Sequence, residues 1–462
     1  MSEAYDLIVI GSGPAGQKAA IQAAKLHKKV ALIERGQEIG GVAVHTGTIP
    51  SKTLREAVLY LSGYDQRGLY GKSYKLKQEM TMDDLMQRVA ITINQEVEVM
   101  LHQLSRNGVN VIQGVASFKD AHTIQIENNS GKTIEYKTDK VVLATGTRPR
   151  RPKGIPFDSD VIVDSDDLLN IKKLPRSLTV VGAGVIGVEY ASIFSAMDIK
   201  VTLVDSRNLI MRFMDKEIID ELTHMLRERG VIMRLGESIE KVIKDGDEAI
   251  ISLQSGKQFR SDLVLFAAGR TGCTASLKLE KAGLQADDQH RVKVNEFYQT
   301  DVDNIYAVGD LIGFPSLAST SMEQGRLAAR HAFGASLSSR PDLFPFGVYA
   351  VPEMSMVGKT EEELTEQKIP YEVGIARLKE TGRGNIMGLQ EGMLKLIFSL
   401  EDKKLLGVHV LGENATELVH IGQVVIALEG GLDFFMDNVF NYPTLAEAYK
   451  IAALDACNRM VV

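Results

Sequence analysis

Asp6-Leu-Ile-Val-Ile-Gly-Ser-Gly-Pro-Ala-Gly16 decides the fold: a short buried-type strand runs straight into a glycine turn. An alanine-rich stretch then has helical character to about Leu26, and Val30-Ala-Leu-Ile-Glu34 is a second strand ending on an acid. Pro14 stands where a first helical turn tolerates proline. Residues 6–34 therefore predict one βαβ unit. The glycines of such a turn, Gly11, Gly13 and Gly16, permit a tight bend, close approach of a pyrophosphate and close helix–strand packing. The helix start adds N–H groups and a positive dipole end for phosphates. Glu34, closing the second strand, can accept hydrogen bonds from ribose hydroxyls.

The pattern recurs. Ser177-Leu-Thr-Val-Val181 leads into Gly182-Ala-Gly-Val-Ile-Gly187, a helix to about Ala196, and Lys200-Val-Thr-Leu-Val-Asp205. Gly182, Gly184 and Gly187 repeat the turn, and Asp205 repeats the terminal acid. Arg207 can pair with the 2′-phosphate that Asp205 would repel, the alternative being a solvent-exposed arginine in a turn. Two dinucleotides in one chain imply electron transfer between a flavin and a nicotinamide.

The remaining chain fits around these units. At roughly 100–200 residues per domain, 462 residues suggest two to four domains. Hydrophobic residues at 44% and charged residues at 24% exclude a disordered, collagenous or coiled-coil chain. The net charge of −7, with no basic tail, disfavours non-specific nucleic-acid binding and docking on anionic membranes. Cys273 and Cys457, the two cysteines, exclude a disulfide framework and suit a reduced, cytoplasmic setting. No apolar run approaches the ~18 residues of a membrane span, and the N-terminus is expected to be a first strand, not a signal peptide.

Residues 51–62 and Thr81–Asn107 predict helices, the second with a capping box from Thr81 to Asp84 and a stop at Gly108. Val141–Gly146, Leu263–Gly269 and Ile305–Asp310 predict strands running into turns, and Arg148–Gly154 a solvated basic linker. After Pro341, strand-like stretches at 392–398 and 405–411 alternate with helices. The expected fold is α/β: two Rossmann-like domains, for FAD at 1–150 and 276–340 and for NAD(P) at 151–275. A C-terminal α+β interface domain is expected at 341–462.

With these motifs in view, the chain resembles the flavin-dependent pyridine nucleotide–disulfide oxidoreductases from end to end. The resemblance implies that Gly11, Gly13, Gly16 and Glu34 hold FAD, and that Arg35, Gly40, Gly41, Val42 and Ala43 pass along it. It implies the same ligand for Thr145 and Gly146, and for Gly309 and Asp310, whose carboxylate would meet the ribityl chain. Gly182, Gly184, Gly187 and Glu189 match the NAD(P) turn, with Gly269 and Arg270 closing that domain. Lys52 and Glu189 match an ion pair beside the flavin; a surface salt bridge is the alternative. A homodimer, or a larger homo-oligomer, is implied as well.

The segment Gly40-Gly-Val-Ala-Val-His-Thr-Gly-Thr-Ile-Pro-Ser-Lys52 departs from the disulfide members. Their two cysteines fall at Ala43 and Thr48, where no thiolate can form. Where they carry His-Pro-Thr-x-x-Glu, this chain has Tyr442-Pro-Thr-Leu-Ala-Glu447, and a phenol with a reference pKa near ~10 is a poor base. Disulfide chemistry is excluded and the nicotinamide side remains. The chain is similar to the soluble pyridine nucleotide transhydrogenases of the family, through stretches such as Gly47-Thr-Ile-Pro-Ser-Lys52, Pro315–Ser319, His420–Gln423 and Phe440–Tyr449. That subgroup usually carries a lone cysteine where this chain has Ala43. The expected activity is hydride transfer between NADPH and NAD⁺, ping-pong through FAD. An NAD(P)H dehydrogenase feeding quinones or another acceptor is the alternative, and a nucleotide sensor the non-enzymatic one. His45 is a further candidate, as a proton or hydrogen-bond donor near the flavin; His409 and His420 are expected to pack. No spacing calls for a metal.

Overall fold

The computed structural model describes residues 4–336 and 343–460. The strands Ala4–Ile10 and Val30–Glu34 lie parallel, with Leu7 opposite Val30, and the helix Pro14–Lys25 crosses between them. They sit in a seven-stranded sheet ordered Asn110–Gln113, Val30–Glu34, Ala4–Ile10, Thr133–Leu143, Thr123–Glu127, Val115–Asp120. Far along the chain, Ile305–Ala307 joins Thr133–Leu143 in parallel, so the sequence returns to the sheet it left. Ala19, Ala20 and Ala23 are fully buried, which is why this helix face is built of alanine: a larger side chain would hold helix and sheet apart.

The second unit builds a separate, wholly parallel sheet of five strands: Ile232–Leu235, Lys200–Asp205, Ser177–Val181, Leu263–Phe266 and Ile162–Asp164. Its strands read as near-continuous apolar runs because both faces are covered. Ten of the twelve residues of the helix Val185–Ala196 are buried. Each leucine, isoleucine or phenylalanine enclosed here stabilises the fold by about 1.5–3 kcal/mol. The C-terminal sheet is antiparallel, ordered Phe346–Val348, Met354–Gly358, Leu405–Leu411, Met393–Ser399, Tyr371–Arg377, and the helix Glu447–Met460 packs on its far edge. A mixed sheet with a parallel core and an antiparallel flank at 115–143, a wholly parallel second sheet and an α+β third part match the expected fold class. The expected boundary at 340/341 lies outside the described residues.

The helix Met82–Arg106 carries the expected capping box, Thr81 Oγ1 accepting from Asp84 N–H and Asp84 accepting from Thr81 N–H. The basic run after Gly146 differs from expectation. Thr147–Pro149 forms a strand paired antiparallel with Arg270–Gly272, and Arg151 pairs with Asp164 and Asp167. The segment is fastened at its start by this strand and midway by Arg151, which local composition does not reveal, while Arg148, Arg150, Lys153 and Gly154 stay exposed as expected of a solvated run. No described helix is long and apolar enough to cross a membrane.

Candidate functional site

The two glycine turns divide labour in the same way. A Cβ on Gly16 would lie 1.9 Å from Gly11 O, and one on Gly187 1.8 Å from Gly182 O, so these positions let helix and strand touch. A Cβ on Gly13 or Gly184 would meet nothing within 4 Å: the middle glycine faces open space. Gly13 and Gly184 are also the N-caps of their helices, and neither helix start has a side-chain cap or an acid in its first turn. The helix Met82–Arg106, by contrast, has both. Two helices of one chain thus leave their first N–H groups available to an anion.

Each terminal acid folds back over its own turn. Glu34 Oε2 accepts from Ser12 N–H at 3.0 Å and from Ser12 Oγ–H at 2.6 Å, while Oε1 accepts from Gly36 N–H. Ser12 Oγ also accepts from Gly40 N–H, and a Cβ on Gly41 would lie 3.1 Å from Gly13 Cα, so the 34–43 loop closes onto the first turn. Arg35 is exposed and Ala43 half-buried on the short helix Gly41–His45. Asp205 Oδ2 accepts from Ala183 N–H at 2.6 Å. Burial opposes its ionisation, but hydrogen bonds from Arg207 and Ala183 outweigh that and hold its carboxyl below the ordinary range.

Between the sheets runs a cleft of ≈ 1290 Å³. Lys52 and Glu189 bound one part of it and Asp205 and Arg207 another; Val42, Gly182, Gly184, Gly269, Arg270 and Asp310 also lie on its walls. Lys52, on the helix Thr48–Ser62, donates to both oxygens of Glu189 at 2.9 and 2.8 Å. Glu189 is itself buried on the second unit's helix, so the pair joins two elements and is not a surface bridge. Arg270 donates to Thr147 Oγ1 and pairs with Asp166. Thr147 in turn donates to Asp310, whose carboxyl burial pushes up in pKa. Gly309 N–H is held by Gln324 Oε1, and a Cβ on Gly146 would face open space. Thr145 Oγ1 is buried with no hydrogen-bond partner among the described residues.

Not every expected residue reaches this cleft. His45 does not line it: Nε2 lies 2.8 Å from the Ile39 carbonyl oxygen and Nδ1 4.0 Å from Glu38. As the last residue of the helix Gly41–His45 it turns its ring onto the preceding loop, Nε2–H donating to the Ile39 carbonyl. His409 is buried as expected, bonded to the Lys359 carbonyl. His420 is exposed on the cleft wall beside Gln423, contrary to the packing role expected for it. The third part of the chain contributes more than the sequence indicates. Tyr349 lines the cleft, its N–H donating to Glu189 Oε1 at 2.9 Å and its ring lying 5.0 Å from Lys52 Nζ. No spacing could have signalled this, because the contact spans 160 positions.

Comparison with known proteins places this geometry. Residues 5–325 match the model of the pyridine nucleotide-disulphide oxidoreductases, and residues 344–453 that of the family's dimerisation domain. A soluble pyridine nucleotide transhydrogenase of Mycobacterium tuberculosis (strain ATCC 25177 / H37Ra) is 53% identical over 457 residues, 99% of this chain and 98% of its own. One from Colwellia psychrerythraea is 46% identical over 460 residues, with the same shares covered. The crystal structure of LpdA from M. tuberculosis superposes with a TM-score of 0.90 at 26% identity, covering 99% of this chain and all of that one. The HOCl-induced flavoprotein disulfide reductase RclA of Escherichia coli gives 0.87 at 27%, with 97% and 99% covered.

Proposed function

The chain belongs to the pyridine nucleotide-disulphide oxidoreductase family, and from that premise we propose that it is an FAD-dependent transhydrogenase moving hydride between NADPH and NAD⁺. The observation that carries this reading is a subtraction. Ala43 and Thr48 stand where dithiol members have cysteines, Cys273 and Cys457 are free and elsewhere, and Lys52, Glu189 and both glycine turns are kept. Thiol chemistry has no sulfur to use, while everything that serves a nicotinamide remains.

What supports two dinucleotides is the pair of uncapped helix starts, the open space at Gly13 and Gly184, and the unpartnered hydroxyl of Thr145. In this proposal the first turn, with Glu34, Gly40, Gly41, Gly146 and Asp310, holds FAD. Gly182, Gly184, Gly187, Asp205 and Arg207 hold the nicotinamide nucleotide, and Gly269 and Arg270 close its side of the cleft. Bound FAD supplies the group that accepts hydride from one nucleotide and returns it to the next. Lys52 presents a positive charge where negative charge develops, and Glu189 fixes that ammonium in place. One cleft serves NADPH and NAD⁺ in turn, so each must leave before the other enters. His45 is assigned no part in the chemistry.

The chain works as a homodimer or larger homo-oligomer, in keeping with the dimerisation-domain match and with Val424, Leu428, Val439 and Tyr442 exposed on the third part. A reduced, cytoplasmic setting belongs to the same reading. The test is an anaerobic titration: NADPH bleaches the protein's yellow colour and NAD⁺ restores it. Bleaching that NAD⁺ does not reverse, but a quinone does, would replace the nucleotide acceptor with another. A preparation that takes up no FAD would end the reading.

A further inference from the structure

Lys52 is gripped by more than Glu189. Its ammonium lies 5.0 Å from the centre of the Tyr349 ring, on a stretch that side chains of two helices, Thr48–Ser62 and Val185–Ala196, hold down. Tyr349 N–H donates to Glu189, Arg55 Nε donates to the Ala350 carbonyl, and Val351 N–H donates to Ser192 Oγ. Tyr349 therefore touches both members of the ion pair, the carboxylate through its backbone and the ammonium through its ring. The ring is half-buried on the cleft wall, and Lys52 is also largely shielded, its side chain 24% exposed. Such partial desolvation is the setting in which an aromatic face attracts a cation appreciably.

We propose that Tyr349 is a positioning residue for hydride transfer: the negative face of its ring holds the Lys52 ammonium at one height in the cleft, against the pull of solvent. Two fixed partners are needed for this. Glu189, together with a long hydrogen bond of 3.3 Å from Lys52 to the neighbouring Ser51 hydroxyl, leaves the ammonium room to swing about the carboxylate, whereas a ring on a second side removes that freedom. The hydroxyl takes no part; the electron density of the ring does. This inference rests on the proposed role of Lys52 beside FAD, and its test separates the two.

The experiment is anaerobic stopped-flow reduction of the FAD-loaded enzyme by NADPH. Tyr349→Phe should reduce at nearly the parent rate. Mono- and then trifluorinated phenylalanine at position 349 keep the shape while draining the ring face, and the rate should fall stepwise. Tyr349→Leu should fall furthest, by roughly 2- to 30-fold, the span of exposed to desolvated cation–π contacts. The KM for NADPH should stay unchanged and the flavin midpoint potential should drop along the series. In a Lys52→Met background the whole series should be flat. A flat series in the parent enzyme, while Lys52→Met is slow, overturns the inference and leaves the role of Lys52 standing. A series that persists in the Lys52→Met background also overturns it, since the ring would then act on the ligand directly. A Lys52→Met enzyme as fast as the parent removes the role of Lys52 and the inference with it.

Discussion

The guanidinium of Arg207 forks onto the carboxylate of Asp205, with Nε 2.9 Å from Oδ1 and Nη2 2.7 Å from Oδ2. The backbone N–H groups of Ala183 and Arg207 complete the carboxylate's shell. Selectivity at this end of the cleft is then a competition. A ribose must displace the fork from Asp205, whereas a 2′-phosphate must draw Arg207 away, leaving Asp205 held by the two backbone donors. Arg207→Ala should weaken NADPH by about 1.5–3 kcal/mol and spare or strengthen NADH. Asp205→Ala should weaken NADH and free Arg207 for NADPH. Half-reaction kinetics with each nucleotide read both effects, and equal losses for both in the Arg207 variant would remove it from the competition.

The middle and last glycines of a turn should respond oppositely. Gly13→Ala adds a methyl group into open space, so the chain should fold, keep its far-UV circular dichroism and retain FAD poorly. Gly16→Ala drives a methyl group to within 1.9 Å of a backbone oxygen and should compromise folding itself. FAD content per folded chain distinguishes them; equal FAD retention by Gly13→Ala and the parent would refute a phosphate-facing role for this glycine.

Lys395 is fully buried and donates to both oxygens of Asp215, with Glu217 and Glu361 also paired to it. The cluster joins the helix Lys216–Glu228 to the C-terminal sheet. Lys395→Met leaves Asp215 as an uncompensated buried charge and should cost about 3–5 kcal/mol in denaturant unfolding. Lys395→Met combined with Asp215→Leu should recover part of that loss, because no charge is then stranded.

Burial, reinforced by Asp65 and Glu353, pushes the Glu413 carboxyl up to about 7, with Arg55 opposing. Between its ordinary value of 4.5 and about 7 the folded state binds the extra proton. Stability from this group is therefore present below that window and lost as pH rises through it. Glu413→Gln should raise Tm at pH 8, leave it unchanged near pH 4, and flatten the slope between. An identical pH profile for variant and parent would exclude Glu413 as its source.

Gly11 to Glu34 and Gly182 to Asp205 were legible in the sequence because each is a local affair. A strand, a bend that needs glycine, and a helix start lie within thirty residues, and their hydrogen bonds close among themselves. The absence of cysteine at Ala43 and Thr48 was equally plain, since chemistry that requires sulfur is excluded by composition at the position. What only the tertiary structure decided are the contacts that cross the chain: that the Lys52–Glu189 pair implied by the resemblance closes over 137 positions on a buried carboxylate, and that Tyr349 meets Glu189 over 160. Residues 147–149 paired as a strand with 270–272 for the same reason, whereas His45 on Ile39 and Arg207 on Asp205 are local contacts, six and two positions apart. Spacing along a chain sets which side chains share a face. Which partner each one meets depends on how separately built sheets pack together, and that is settled by burial and charge across the whole molecule.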